Sequence, residues 1–343
     1  MNSDTSVITL DHGGGGLASQ RLVSRLLGLL ENSSGQKENT LEDAAALTVP
    51  GLTGRLVFST DSYVVEPIFF PGGDIGKLAV HGTINDLAMR GATPLCLSLA
   101  MILEEGFPLA ELERITKSIS EASRDAAVPI ITGDTKVVPK GKADKIFITT
   151  AGIGLVDTAV NIGAAGAKPG DAVLISGSIG DHGITIMSQR AGIALQGDLQ
   201  SDTVALHRLV ARLISEFPGA IHVLRDPTRG GVATSLHELA AASGVAVELN
   251  EESLPINPAV LSACALLGLD PLWLANEGKC LLFCDGGKAA AILAAMRAMD
   301  EGRQAEIIGR VVPAAAAQVT LRTVLGGGRI LRSLHGQPLP RIC

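Results

Sequence analysis

The chain breaks in composition near its middle, and that break limits what it can become. Between Asp157 and Gly170 the residues turn to Gly, Ala and Pro, and on either side runs a separate series of alternating helix-period and strand-period segments. At 343 residues the chain is too long for one ordinary core, the usual size being about 100–200 residues per domain. The break therefore reads as a boundary: an N-terminal domain over 1–158, a second domain over 159–325, and a tail over 326–343 that carries the last residue, Cys343. Two domains leave room for a cleft between them.

In the first half a glycine run, Gly13 to Gly16, precedes a helix-period stretch, Leu17 to Leu30, and a polar loop, Glu31 to Thr40. A strand follows at Arg55–Val65. Asp74 can cap a helix over Ile75–Arg90 whose apolar face uses Ile75, Leu78, Ala79 and Leu87, with Gly91 as its stop. A strand at Leu95–Leu103, a helix at Pro108–Ala127 and strands at Val128–Thr132 and Lys145–Leu155 complete an α+β unit. In the second half strands are expected at Ala172–Ser176, Val245–Leu249, Cys280–Cys284, Glu306–Arg310 and Val319–Arg322. Helices are expected at Ile184–Ala191, Thr203–Glu216, Gly231–Ser243, Pro258–Leu267 and Lys288–Met299. Beyond Gly326 to Gly328 the periodicity fades, and the ending from His335 to Cys343, with Pro338 and Pro340 and no helix or hairpin pattern, reads as a mobile tail.

Several functions are excluded by composition. Lys plus Arg is 28 against 35 Asp plus Glu, a net charge of −7, which disfavours broad contact with a phosphate backbone, so nucleic acid is not the partner. Aromatic residues are 3% of the chain, too few for base-stacking platforms. The mean hydropathy is positive, +0.34, yet the longest charge-free stretch, Ser253–Leu269, contains Pro255, Asn257 and Pro258 and is too short for a membrane span. Met1–Leu10 has no basic region followed by an apolar run, and five cysteines make no disulfide framework. A reducing, cytoplasmic setting is expected.

Five acidic blocks carry the chemical signal: Glu42-Asp43, Thr60-Asp61-Ser62, Asn85-Asp86, Gly133-Asp134-Thr135-Lys136 and Asp226-Pro-Thr-Arg-Gly-Gly231. Each sets an Asp beside small or hydroxyl residues near an element end. Alone, each reads as a helix cap or a turn. Together they suit a hard cation that bridges triphosphate oxygens, because Mg²⁺ takes oxygen ligands and keeps several waters. The glycine run lacks the Lys and Ser/Thr of a P-loop and follows no strand, which leaves a flap over phosphates or a plain linker. Lys136 is expected just past a strand end, as a phosphate contact or a solvated lysine. Glu277, in Ala-Asn-Glu-Gly-Lys279, is a base if buried and otherwise part of a turn. Cys96, Cys264, Cys280 and Cys284 lie in apolar runs and read as core, not as metal ligands. Cys343 gains no core from its position, and the stretch from Gly326 can extend on the order of 55 Å, which suits a carrier arm.

The tail Pro340-Arg-Ile-Cys343 joins the block Gly73-Asp-Ile-Gly-Lys-Leu-Ala-Val-His-Gly-Thr-Ile-Asn-Asp-Leu-Ala-Met-Arg-Gly-Ala-Thr-Pro94, the run Thr132-Gly-Asp-Thr-Lys-Val-Val138 and the run Leu224-Arg-Asp-Pro-Thr-Arg-Gly-Gly231. With these the chain resembles, over nearly its whole length, the HypE family of hydrogenase-maturation proteins. The aspartate blocks are similar to a wider group that includes aminoimidazole ribonucleotide synthetase, selenophosphate synthetase and thiamine-phosphate kinase. The resemblance implies an aminoimidazole ribonucleotide synthetase-like fold: an N-terminal sheet that forms the interface of a homodimer, a C-terminal α/β sandwich, and a flexible tail. It implies ATP and Mg²⁺ in the cleft, with Asp43, Asp61, Asp86, Asp134 and Asp226 at metal and phosphate positions and Asn85, Thr135 and Lys136 beside the nucleotide. In that family the terminal cysteine, here Cys343, accepts a carbamoyl group from HypF. ATP-dependent dehydration turns it into a thiocyanate, and the cyanide passes to iron on the HypC and HypD complex. Lys136 matches a phosphate contact and Glu277 a proton acceptor. Glu42 departs from the wider group, where a second Asp or a Gly is common, and leaves the first metal contact to Asp43. Two other readings stay open: a small-molecule ATP-dependent synthetase or kinase, which would not need Cys343, and an ATP-sensing scaffold that performs no chemistry.

Overall fold

The structure, a computed structural model, describes residues 7–13, 16–34, 42–193, 199–332 and 341–343. Gly14 and Gly15 of the glycine run, residues 35–41 of the polar loop and both tail prolines lie outside the described residues. The N-terminal half contains α1 (Leu17–Ser34), β1 (Ala45–Leu47), β2 (Arg55–Tyr63), a short hairpin of β3 (Phe69–Phe70) and β4 (Gly73–Asp74), α2 (Ile75–Met89), β5 (Thr93–Glu104), α3 (Leu109–Ala126), β6 (Ile130–Val138) and β7 (Ile146–Val156). Its sheet has the order β1-β2-β7-β5-β6, antiparallel except for the β5/β6 pair.

Helix α2 is the centre of this half. Asp74 caps it, accepting from the Gly76 and Lys77 amides at 2.8 and 3.0 Å, which satisfies donors that the first turn leaves without partners. Nearly every residue is buried, including the expected face Ile75, Leu78, Ala79 and Leu87. A helix covered all round must be sandwiched, and α2 packs on β2, β7, α3 and also α5 of the other half. Helix α3 is amphipathic and buries Ile115, Ile119, Ala122 and Ala126. Both helices cover one face of the sheet. On the outward side and at the β6 edge, Phe58, Leu95, Ile102, Ile131 and Val137 are exposed.

The C-terminal half contains β8 (Ala172–Ile175), α4 (Asp181–Arg190), α5 (His207–Glu216), β9 (Ile221–Arg225), α6 (Gly231–Ser243), β10 (Ala246–Asn250), α7 (Pro258–Leu267), β11 (Leu281–Cys284), α8 (Ala289–Arg297), β12 (Glu306–Val312), β13 (Gln318–Arg322) and β14 (Gly328–Leu331). The sheet order is β14-β13-β10-β12-β8-β11-β9. Strands β8 and β11 are buried on both faces, as continuous apolar runs require when helices cover both sides. Val173, Ile175, Leu281 and Phe283 join the core with α6, whereas Leu174, Cys280, Leu282 and Cys284 join the one with α5 and α8. The two cysteines thus share one apolar face, as their spacing predicts.

Four differences from the sequence reading matter. Strand β6 starts later than expected and runs on through Asp134 and Lys136, paired in parallel with β5. Strand β9, just ahead of the Asp226 block, has no counterpart among the expected elements. Residues 203–206 do not begin α5, because they are tied to α2: the Leu206 amide donates to Asn85 Oδ1 at 2.8 Å. Beyond Gly326, where the periodicity fades in the sequence, β14 pairs with β13 from Arg322↔Gly328 to Val319↔Leu331.

Candidate active site

Six segments converge on one cavity between the halves. Strand β2 brings Thr60 and Asp61, α2 brings Gly82 and Asp86, and the segment ahead of β1 brings Glu42 and Asp43. The turn from β9 into α6 brings Asp226, Thr228 and Arg229, and Glu277 and the chain terminus Cys343 close the wall. Asp43 and Cys343, 300 positions apart, thereby share one space. The cavity is about 260 Å³.

The local structure explains each placement. Along β2 alternate side chains point to opposite faces, and the Ser62 amide donates to Asp61 Oδ1 at 2.7 Å. Ser59 donates to Asp86 Oδ2 at 2.6 Å, joining β2 to α2. Gly230 and Gly231 have φ of +79° and +64°, and a Cβ on Gly231 would stand 2.5 Å from the Leu274 carbonyl oxygen. Only glycine turns the chain there tightly enough to set Asp226 and Arg229 in the wall. Ahead of β11, the Asn276 amide group bonds the Pro227 and Leu274 carbonyls at 3.0 Å each, and the Glu277 amide donates to Asp202 Oδ1 at 3.1 Å.

The electrostatics are unfavourable by construction. Burial pushes the Asp43, Asp61 and Asp86 carboxyls up. Asp226 and Asp61 press further on Asp86, and Arg225 and Arg229 oppose the rise at Asp43 and Asp61 respectively. Asp226 is pushed up to about 6, by burial first, with Arg225 opposing and Asp61 adding. Glu277 is buried, its Oε1 has no hydrogen-bond partner among the described residues, and burial followed by Asp202, Asp226 and Asp61 pushes its carboxyl well up. Buried acids that repel one another suit a hard cation shared with phosphate oxygens. Among the described residues no three His, Cys, Asp or Glu side chains are gathered into a ready cage, so the donor set fits a cation that keeps waters and phosphate oxygens.

The terminus itself is docked. The Val64 amide donates to the Cys343 carbonyl at 3.0 Å and the Glu66 amide to the Arg341 carbonyl at 3.3 Å. Arg341 Nε donates to the Val64 carbonyl at 2.8 Å and its guanidinium pairs with Asp144. Ile342 is 2% exposed, in the core with Tyr63 and Val65. Burial, with Glu277 adding, pushes the Cys343 thiol up beyond its ordinary range.

Of the residues picked out in the sequence, Asp43, Asp61, Asp86, Asp226, Glu277 and Cys343 come together. Asn85 does not face the cavity: it is buried behind it, donating to the Val204 and Glu277 carbonyls at 3.0 and 3.2 Å. Asp134, Thr135 and Lys136 do not reach the cavity within one chain. The sequence sets Lys136 beyond a strand end, whereas the structure carries all three inside edge strand β6, where Lys136 Nζ pairs with Asp134 at 2.8 Å and both are about two-thirds exposed. Glu42, the departure noted above, is held by Arg90 at 2.7 Å and by the Ala164 amide at 2.9 Å. The sequence reading missed Arg225, which pairs with Asp43 at 3.0 Å and Glu238 at 2.5 Å, and Arg229, whose guanidinium stands in the field of Cys343, Asp61 and Glu277. Both flank Asp226, and their charges beside a carboxylate were the available signal.

Two family models match: "AIR synthase related protein, N-terminal domain" over residues 41–156 and "AIR synthase related protein, C-terminal domain" over 168–322. The two α+β halves place the chain among the AIR synthase related proteins. A carbamoyl dehydratase HypE of Cupriavidus necator is 49% identical over 343 residues, spanning 100% of this chain and 97% of that protein. A crystal structure of HypE in complex with ATP matches with a TM-score of 0.82 at 49% identity, covering 98% of this chain and 100% of that one. A HypE–HypF complex gives 0.84 at 45% identity, over 90% and 99%. Within the AIR synthase related proteins, the chain belongs to the HypE carbamoyl dehydratases.

Proposed function

We propose that this chain carries a carbamoyl group on Cys343 and dehydrates it to a thiocyanate at the expense of ATP, supplying cyanide for the iron centre of a NiFe hydrogenase. The observation that carries the reading is the terminal sulfur in the same cavity as Asp61, Asp86, Asp226 and Glu277. A sulfur carrier that docks among phosphate-binding acids fits a reaction between the carried group and a nucleotide, and it disfavours a kinase or synthetase of free small molecules. A HypF-like carbamoyltransferase is the proposed donor and a HypC–HypD complex the acceptor.

The chemistry balances as follows. The thiocarbamate amide oxygen attacks the γ-phosphorus of ATP, the β–γ bridging bond breaks, ADP leaves, and one N–H proton is lost. Cleavage of the C–O bond then expels phosphate while the second N–H proton departs, which leaves S–C≡N. Glu277 suits the proton transfer: its Oε1 is free of partners among the described residues, and a carboxyl raised by burial is a stronger base at neutral pH than an exposed one. Mg²⁺, held by Asp43, Asp61, Asp86 and Asp226, would offset phosphate charge when bound. Enclosure of Cys343 keeps water from the activated carbon. The docked thiol is held neutral, and the thiolate is the nucleophile, so loading with the carbamoyl group takes place with the tail out of the cavity.

We place the protein in the cytoplasm, on the strength of its free cysteines, and assign 1–158 to nucleotide binding and dimerisation, 159–325 to the second domain and 326–343 to the tail. The uncovered apolar face at Phe58, Leu95, Ile131 and Val137 fits a second copy of the chain. Asp134, Thr135 and Lys136 act on the nucleotide, in this reading, only from that copy. Mass analysis of the C-terminal peptide tests the function: a carbamoyl adduct on Cys343 becomes lighter by one water after ATP is added. An adduct that persists unchanged overturns the reading.

A further inference from the structure

The last three residues lie beside Val64–Glu66, with Arg341 in the left-handed region at a φ of +53°. The Arg341 and Cys343 main-chain oxygens accept from the Glu66 and Val64 amides, whereas the carbonyl between them is turned toward α4. That carbonyl belongs to Ile342, which is buried, and a buried carbonyl without a donor costs as much as a lost hydrogen bond. His182, near the start of α4 and 0% exposed, stands 2.7 Å away through Nε2. Its Nδ1 lies 2.7 Å from Ser201 Oγ, and Phe70 meets the ring edge to face at 5.5 Å.

The protonation pattern follows from the partners. Burial lowers the affinity of the ring for a second proton, so it carries a single N–H. A carbonyl only accepts, hence Nε2 holds the hydrogen, and Nδ1 accepts from the Ser201 hydroxyl. Ser201 thus fixes the tautomer that can hold the tail. A slip of the tail by one residue would carry the Ile342 carbonyl away from His182 and the Ile342 side chain out of the core it shares with Tyr63 and Val65.

We propose that His182 is a positioning residue that sets the register of the docked terminus, so that Cys343 and no neighbouring atom is delivered to the acidic cavity. Its role in turnover rests on the dehydratase reading, but its role in docking does not. The nearest functional groups, Arg190 to the Arg341 carbonyl and Arg341 to Asp144, anchor the residue before Ile342 and leave its carbonyl to the histidine.

Docking is read by alkylation of Cys343 with iodoacetamide in the full-length protein, followed by mass analysis of the C-terminal peptide. His182→Asn keeps a polar group near Ser201 but falls short of Ile342, and it should speed alkylation on the order of tenfold to a hundredfold, the worth of one buried hydrogen bond. His182→Gln places an amide N–H near the Nε2 position and should return the rate close to that of the native protein. Ser201→Ala, which releases the tautomer without touching the tail, should give a rise of a few fold and covers the case in which His182→Asn does not fold. Alkylation rates equal to native in both His182→Asn and Ser201→Ala overturn the proposal, as does a His182→Gln protein as fast as His182→Asn. In parallel, single-turnover conversion of preloaded carbamoyl-Cys343 should slow in the same order while ATP affinity holds. If alkylation rises and conversion does not slow, the positioning role is refuted although the contact stands. If the native protein converts nothing, the dehydratase reading fails, and the alkylation series still decides the docking.

Discussion

The acidic wall should make the protein less stable than it need be, and Asp226→Asn measures by how much. A carboxyl that titrates near 6 instead of 3.8 costs the folded state about 3 kcal/mol at neutral pH, at about 1.36 kcal/mol for each pH unit. The sign follows from linkage. Because the folded value lies above the unfolded one, the favourable contribution is complete below about pH 4 and is lost as pH rises through about 6. Asparagine keeps the shape and can still bond Asp86, but it never ionises, so the loss does not occur. Arg225 keeps Asp43 and Glu238 as partners and is not stranded. Thermal unfolding with EDTA and without nucleotide should show the variant melting on the order of 5 °C above native at about pH 7.5, with the gap closing near pH 4.5. Mg²⁺ with ATP should raise the native melting point more than that of the variant, and dehydration should be lost in the variant. A gap of equal size at both pH values, or a variant that melts below native at pH 7.5, refutes the electrostatic argument.

Gly231→Ala should destabilise by more than about 1 kcal/mol, since it forces a side chain into positive φ against the Leu274 carbonyl; chemical denaturation checks this, and the Asp226–Arg229 turn should lose activity along with it. Ile131→Asp, on the exposed edge of the N-terminal sheet, should leave the melting point of a single chain almost unchanged and shift the sedimenting species from dimer to monomer. Lys136→Ala should likewise leave the fold intact, because its ion pair with Asp134 is exposed, yet should slow dehydration; mixing it with an inactive Cys343→Ala protein should restore turnover if Lys136 acts across the interface, and restoration that fails to appear refutes that placement.

How much of this was legible in the sequence depended on how local each feature is. Asp74 ahead of an apolar helix, the buried stripe of α3 and the doubly buried run Leu281–Cys284 are written in neighbouring residues, and they fold as their patterns predict. The aspartates of β2, α2 and the Asp226 turn were legible as a set because each sits beside small residues that leave its carboxylate accessible. Lys136 was not, since a strand boundary decides whether it ends an element or rides on its edge, and parallel pairing with β5 extended the strand past it. Strand β9 is five residues long and mostly buried without alternation, too short to show a period. His182 and Ser201 carried no signal at all: their partner is a main-chain carbonyl 160 residues from His182, and main-chain groups look alike in every sequence.

A carried substrate also changes what the binding site must do. A group on the chain's own terminus arrives at high effective concentration, so docking need not be tight, and it must not be if the sulfur is to leave for loading and for delivery. The contacts are in keeping with that demand. Burying Ile342 is worth about 2 kcal/mol, and the main-chain bonds from Val64, Glu66 and His182 contribute about 1 kcal/mol each. Ordering the backbone of three residues costs about 1–2 kcal/mol apiece. With the Arg341 contacts to the Val64 carbonyl and to Asp144 added, the docked tail is favoured by a few kcal/mol, so it still exchanges, and losing one hydrogen bond raises the free fraction on the order of tenfold. That is why a single imidazole, remote from any phosphate-binding acid in the sequence, can govern how often the sulfur meets the nucleotide.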